Sequence, residues 1–210
     1  TFDLSLTGNT SQLVSGYPDD NAVVSSGGGV GGGGESLEIQ VDPPGVATSS
    51  AITTTISLDN PATDVRFTIY DIDNSMSAGV QDSVRIIGYN GPEIIVPTLI
   101  PVNASPTFTI DTDDAYGVAV ATDPATDDQS SNDTKGSLDV YFHAPVSEIR
   151  IIYYEANLGA SDFGTRSISI SDISFCFSLV CILTISSKFS SLILKNSETK
   201  VPFSSSSETC

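Results

Sequence analysis

From residue 37 onward, apolar and polar residues alternate with a period of two, the pattern of strands with one buried face. Residues 37–41 (Leu-Glu-Ile-Gln-Val) alternate cleanly, and in 51–58 Ile52, Thr54, Ile56 and Leu58 share a face. Residues 65–70 repeat the pattern and 84–89 follow it more loosely. Further strands are expected at 94–96, 107–110, 118–121, 138–142, 149–154 and 167–175. Helical spacing is nearly absent. Between the runs stand Asp42-Pro43-Pro44-Gly45, Asp59-Asn60-Pro61, Tyr89-Asn90-Gly91-Pro92, Asp123-Pro124 and Ala144-Pro145. Each supplies a fixed φ, a residue tolerant of the left-handed region or a missing donor, and so ends a ladder. Short strands about 8–12 residues apart, with turns between, describe an all-β antiparallel sandwich or barrel.

Two stretches depart from this pattern. Residues 25–35 (SSGGGVGGGGE) are glycine-rich and contain G-x-G-x-x-G at 29–34. No βαβ context follows, and Glu35 stands where a Walker A lysine is needed, so a flexible loop or linker is expected. Residues 1–24 then supply N-terminal strands that join the sandwich or precede it, and 36–176 form its body. The second departure begins at Cys176, where Asp and Gly give way to Ser, Lys and Leu. Residues 177–210 are expected to be a tail: appended strands, a poorly ordered appendage or an end read out of frame.

A chain of 210 residues suits one domain with a tail, and is large enough to bury a core without obligatory metals or disulfides. An apolar fraction of 39% is too high for a disordered chain. The 26 acidic residues outnumber the 8 basic ones, giving a net charge of −18. Such a chain repels phosphate backbones and anionic lipids, so nucleic acid is not expected as a partner. The longest apolar run, near 175–185, is shorter than the ~20 residues of a membrane helix, and no membrane span is expected. No signal peptide is visible ahead of Thr1, as in a mature chain or an excised fragment. The three cysteines, Cys176, Cys181 and Cys210, have no C-x-x-C spacing and cannot all pair within the chain.

Carboxylates dominate the candidate chemistry. Tyr70-Asp71-Ile72-Asp73-Asn74-Ser75 and Asp82 form the densest group. Asp71, Asp73, Ser75 and Asp82 occupy positions 1, 3, 5 and 12 of an EF-hand loop, but Met76 replaces its glycine and the flanks are strands. A Ca²⁺ site in a strand-to-strand loop remains open, because D-x-D sets alternate oxygens on one side of extended backbone. The competing reading is that these aspartates cap turns. Asp111-Thr112-Asp113-Asp114 is a second acidic group, and Asp123, Asp127, Asp128 and Asp133 belong to a polar loop. One histidine, His143, supports neither a zinc triad nor a Ser-His-Asp set, and G-x-S-x-G is missing. An enzyme is not expected. Trp is absent, leaving Tyr70, Tyr89, Tyr116, Tyr141, Tyr153 and Tyr154 as the aromatic surfaces for sugar stacking.

The order of Phe67-Thr68-Ile69-Tyr70-Asp71-Ile72-Asp73, Asp82-Ser83-Val84-Arg85-Ile86, Val140-Tyr141-Phe142, Pro145-Val146-Ser147-Glu148-Ile149 and Ile168–Cys176 resembles jelly-roll modules of large bacterial surface and secreted adhesin-like proteins. The closing Ser171-Asp172-Ile173-Ser174-Phe175 is similar to the last strand of calcium-stabilised carbohydrate-binding jelly rolls. The resemblance implies a jelly-roll β-sandwich, an extracellular or cell-surface location, and a glycan or a cell-surface protein as partner. It adds Asp172 to Asp71, Asp73 and Asp82 as a ligand of a structural Ca²⁺. The expected function is a non-catalytic adhesion or structural module, with a carbohydrate-binding module of a polysaccharide-active protein as the alternative.

Overall fold

The computed structural model describes residues 2–23, 35–42, 51–75, 80–122, 134–156, 165–177, 182–185 and 201–202. They form an all-β, antiparallel structure without an α-helix. The strands are β1 (Phe2–Gly8), β2 (Asp19–Val23), β3 (Glu35–Val41), β4 (Ile52–Tyr70), β5 (Asn74–Ser75), β6 (Val80–Asn90), β7 (Glu93–Ile95) and β8 (Thr98–Pro101). They continue as β9 (Phe108–Thr112), β10 (Gly117–Ala121), β11 (Leu138–Phe142), β12 (Val146–Glu155), β13 (Arg166–Ile170), β14 (Ile173–Phe177), β15 (Ile182–Ile185) and β16 (Val201–Pro202). The glycine stretch 25–34 and the acidic loop 123–133 lie outside the described residues, as does all of the tail past 177 except β15 and β16.

β4 organises the molecule. Its first half pairs with β1 on one edge (Leu4 opposite Ile56) and with β12 on the other (Ile151 opposite Thr54). Its second half pairs with β11 (Val140 opposite Phe67) and, across the other edge, with β13 and β14 (Ile170 opposite Ile69, Ser174 opposite Arg66). Asp59-Asn60-Pro61, expected to end a strand, instead lies within these 19 residues. All three residues are exposed, and none is a register partner in any described pairing. The register beside them slips, so that Val146 faces Ala62 while Glu148 faces Ser57. The missing N–H of Pro61 therefore breaks no ladder, and the segment bends the strand without ending it.

Two wings share this strand. One runs β1–β4–β12–β6–β10–β9, with β7 beside β6; the other joins β2–β3–β13 and β14 to β4, then β11 and β8. Alternation sends one face of each wing inward. Ile52, Ile56, Val84, Ile86, Ile149 and Ile151 of the first wing share a core with Ile39, Phe67, Ile69, Val140, Phe142 and Ile168 of the second. Each large aliphatic buried there contributes about 1.5–3 kcal/mol of transfer free energy. The inner faces touch at two glycines. A Cβ on Gly88 of β6 would stand 2.5 Å from Phe142 Cε1 of β11, and one on Gly117 of β10 would stand 2.6 Å from Leu99 Cδ1 of β8.

The strand expected over 167–175 is divided at Ser171 and Asp172 into β13 and β14. At the break Ser171 and Thr68 bind each other twice: the Ser171 N–H donates to the Thr68 carbonyl at 2.9 Å, and the Thr68 N–H donates to Ser171 Oγ at 2.8 Å. A side chain thus completes the ladder where the backbone alone leaves it.

Candidate functional site

Where β4 ends, its chain turns back toward β6. Asp71 takes a left-handed φ of +72°, and Asp73 leads into β5, which pairs with β6 at Asn74 opposite Gln81. The Asp82 N–H donates to the Asp73 carbonyl at 3.0 Å. In return the Asp73 N–H reaches Asp82 Oδ2 at 3.4 Å. The other oxygen of Asp82 accepts from the Tyr153 hydroxyl of β12 at 2.7 Å. The Tyr153 ring is covered by Arg166, the first residue of β13, whose Cζ lies 5.4 Å from the ring centroid. Beside it, Ser167 Oγ donates to Asp71 Oδ2 at 3.2 Å. Asp73, Asp82, Tyr153 and Arg166 are all buried.

Burial dominates the electrostatics. It pushes the Asp82 carboxyl well above the ordinary carboxylate range; the Tyr153 hydrogen bond opposes the rise, Asp73's charge adds to it, and Arg166 opposes it. Burial likewise raises the Tyr153 phenol well above its usual value, and the Asp82 charge raises it further. The pair stays a phenol donor and a carboxyl acceptor.

Asp71, Asp73 and Asp82 thus share one neighbourhood, whereas Asp172 lies near Tyr70. The Tyr70 phenol is raised first by burial, with the charges of Asp139 and Asp172 adding to the rise. Among the described residues no three His, Cys, Asp or Glu side chains form a group able to hold a metal ion. Both Asp82 oxygens accept from protein donors, and the charge of Arg166 already favours its ionised form. The described residues therefore do not by themselves fit a Ca²⁺ site. In the second acidic group, Asp113 Oδ1 accepts from the N–H groups of Ala115 at 2.7 Å and Tyr116 at 2.9 Å, capping the turn between β9 and β10. His143 is exposed and stacks on Tyr141 with ring centroids 6.1 Å apart.

A different constellation lies on the outer face of the first wing. Arg85, Ile87 and Tyr89 of β6 alternate with the inward Val84, Ile86 and Gly88; Arg150, Ile152 and Tyr154 do the same on β12. The register sets Arg150 opposite Ile87 and Ile152 opposite Arg85, so the two arginines are diagonal neighbours. Arg85 Cζ lies 4.3 Å from the Tyr116 ring and 5.8 Å from the Tyr154 ring, and Arg150 Cζ lies 4.7 Å from Tyr89. Arg150 also pairs with Glu148 Oε1 at 2.6 Å. Beside Tyr89 in register stands the exposed Ile94 of β7. The strand pattern named these tyrosines but not their arginine partners, whose signal was their placement at outward alternate positions. Two of the six tyrosines, Tyr70 and Tyr153, are buried instead and offer no surface.

Compared with known proteins, the chain matches no family model, no curated protein and no solved structure.

Proposed function

We propose that the chain is a non-catalytic extracellular or cell-surface module, an antiparallel β-sandwich of jelly-roll type, that acts in adhesion or as a structural unit by presenting a face to its partner. The observation that carries this reading is the outer array of Arg85, Arg150, Tyr89 and Tyr154 on paired strands, with Tyr116 from the turn before β10. Stacking holds these side chains in place before any partner arrives, which lowers the ordering cost of binding. The sandwich itself is supported by the shared strand β4 and by the meeting of the wings at Gly88 and Gly117. In this reading rigidity comes from packing and from the buried Asp82 cluster, without a need for Ca²⁺.

The tyrosines favour a second reading, a carbohydrate-binding module, because aromatic rings on a flat face suit the apolar faces of sugars. A glycan array probed with the full chain, with Tyr89→Ala and with Tyr154→Ala separates the two. Binding lost in both variants, with folding intact, establishes the carbohydrate reading and removes the purely structural one. No glycan binding favours adhesion to protein or a structural role. Hydrolysis of any arrayed glycan overturns the non-catalytic assignment.

A further inference from the structure

A strand at the edge of a sheet carries hydrogen-bonding groups that its own sheet does not use. β8 pairs with β11 and β9 with β10, and among the described residues neither has a partner strand on its far side. In antiparallel pairing, alternate residues direct both backbone groups at the neighbour, and the residues between direct both away. The Val102 N–H donates to the Ser137 carbonyl at 3.0 Å, which sets the phase of β8. The backbones of Thr98 and Ile100 therefore address β11, while those of Pro97, Leu99 and Pro101 point away. Both prolines lack an N–H, so this edge is closed to a further strand. In β9 the Asp113 N–H donates to the Tyr116 carbonyl at 3.0 Å, and the Thr107 carbonyl accepts from the Thr122 N–H at 2.8 Å. There the backbones of Thr109 and Asp111 address β10, while those of Phe108, Ile110 and Thr112 point away. Phe108 is buried, but Ile110 is half-buried and Thr112 exposed, and no described group bonds to their outward N–H and C=O. No proline guards this edge.

The side chains beside the open edge are acidic. Asp111, Asp113 and Asp114 are all exposed, and Asp113 uses one oxygen to cap the turn. Arg85, stacked on Tyr116, sets one positive charge against these three. We propose that the far side of β9 is a docking edge for an extended segment of a protein partner that carries Lys or Arg at alternate positions. The backbones of Ile110 and Thr112 pair with the segment, and the aspartates select its charge. The same charge turns away a second copy of this chain. Antiparallel pairing of two β9 strands centred on the open stretch sets one Asp111 opposite the other, and like charges directly across a ladder are destabilising. A guard of one sign is therefore selective: it refuses this acidic chain and admits a basic one. Pairing here uses the backbone of β9 and not the outer array of arginines and tyrosines.

Amide hydrogen exchange of the ¹⁵N-labelled full chain tests this, first alone and then with two acetylated, amidated peptides, Thr-Lys-Val-Lys-Val-Lys-Thr and Thr-Glu-Val-Glu-Val-Glu-Thr. Alone, the Ile110 and Thr112 amides are expected to exchange at least about tenfold faster than those of Thr109 and Asp111, which β10 protects. The lysine peptide is expected to slow Ile110 and Thr112 selectively, and the glutamate peptide to leave them unchanged. Thr112→Pro deletes an outward donor that β10 does not use, and is expected to weaken the lysine peptide about three- to tenfold. Asp111→Lys, at an exposed position, is expected to transfer the protection to the glutamate peptide; it decides the matter should the proline variant not fold. Slow exchange of Ile110 and Thr112 in the chain alone overturns the proposal, because the edge is then already covered. Protection by neither peptide, or equal protection by both, overturns it as well. Failure here leaves the outer-array reading intact, and absence of glycan binding leaves the docking edge intact.

Discussion

Tyr153 and Tyr154 are neighbours on one strand and live in different worlds. Tyr153 points inward, is 1% exposed, and gives its hydroxyl to a buried aspartate under a buried arginine. Tyr154 points outward and meets Arg85 across the sheet. Both faces of β6 and β12 therefore pair tyrosine with arginine, but at different energetic stakes. Outside, the half-buried side chains keep part of their hydration, and each stack contributes about 0.5–2 kcal/mol. Inside, a buried charge left without its partner costs about 3–5 kcal/mol. The inner cluster sits where β6, β12 and β13 meet and carries the larger share of this energy; the outer array carries less.

The sharpest way to break this contrast is Arg166→Ala. It removes the cation from the buried carboxylates, and a loss of about 3–5 kcal/mol at pH 7 is expected by chemical denaturation. The loss is expected to shrink as pH falls, because burial raises the Asp82 carboxyl and its protonation removes charge that Arg166 offsets. Next comes Tyr153→Phe, which takes the hydroxyl from Asp82 Oδ1 and is expected to cost about 1–3 kcal/mol. Arg85→Ala is its outward counterpart. Removal of two partly buried stacks is expected to lower stability by about 1–2 kcal/mol, read from the same denaturation curves. Smallest of all is chelation: a melting temperature equal with Ca²⁺ and with chelator is expected, and a clear rise with Ca²⁺ would show that metal and not Arg166 balances the acidic turn.

Much of the fold was legible because alternation is a local signal. Ile52, Thr54, Ile56 and Leu58 share a buried face as their spacing requires. The expected runs at 37–41, 84–89, 118–121, 138–142 and 149–154 all fall within strands. Asp59-Asn60-Pro61 misled because a proline stops a strand only where its N–H is needed, and that depends on neighbours distant in sequence. The candidate site was half legible. Asp71, Asp73 and Asp82 do gather, yet the positive charge acting on Asp82 is Arg166 and the donor to Asp71 is Ser167, both far along the chain, and no local pattern links them. Asp172 was grouped with them on resemblance, and the structure sets it beside Tyr70.

The bent strand β4 also fixes an order of events during synthesis. Its second half emerges by residue 70, but β11, which covers one of its edges, begins only at Leu138, and β13 and β14 follow later still. At about 5–20 residues per second, the edge that β11 covers stays open for roughly 3–14 s of translation, and the other edge for longer. Pairings this distant in sequence also slow the search for the native register. A nascent chain halted between residues 70 and 138 is therefore the form most exposed to edge-to-edge aggregation, and the one a chaperone has most reason to meet.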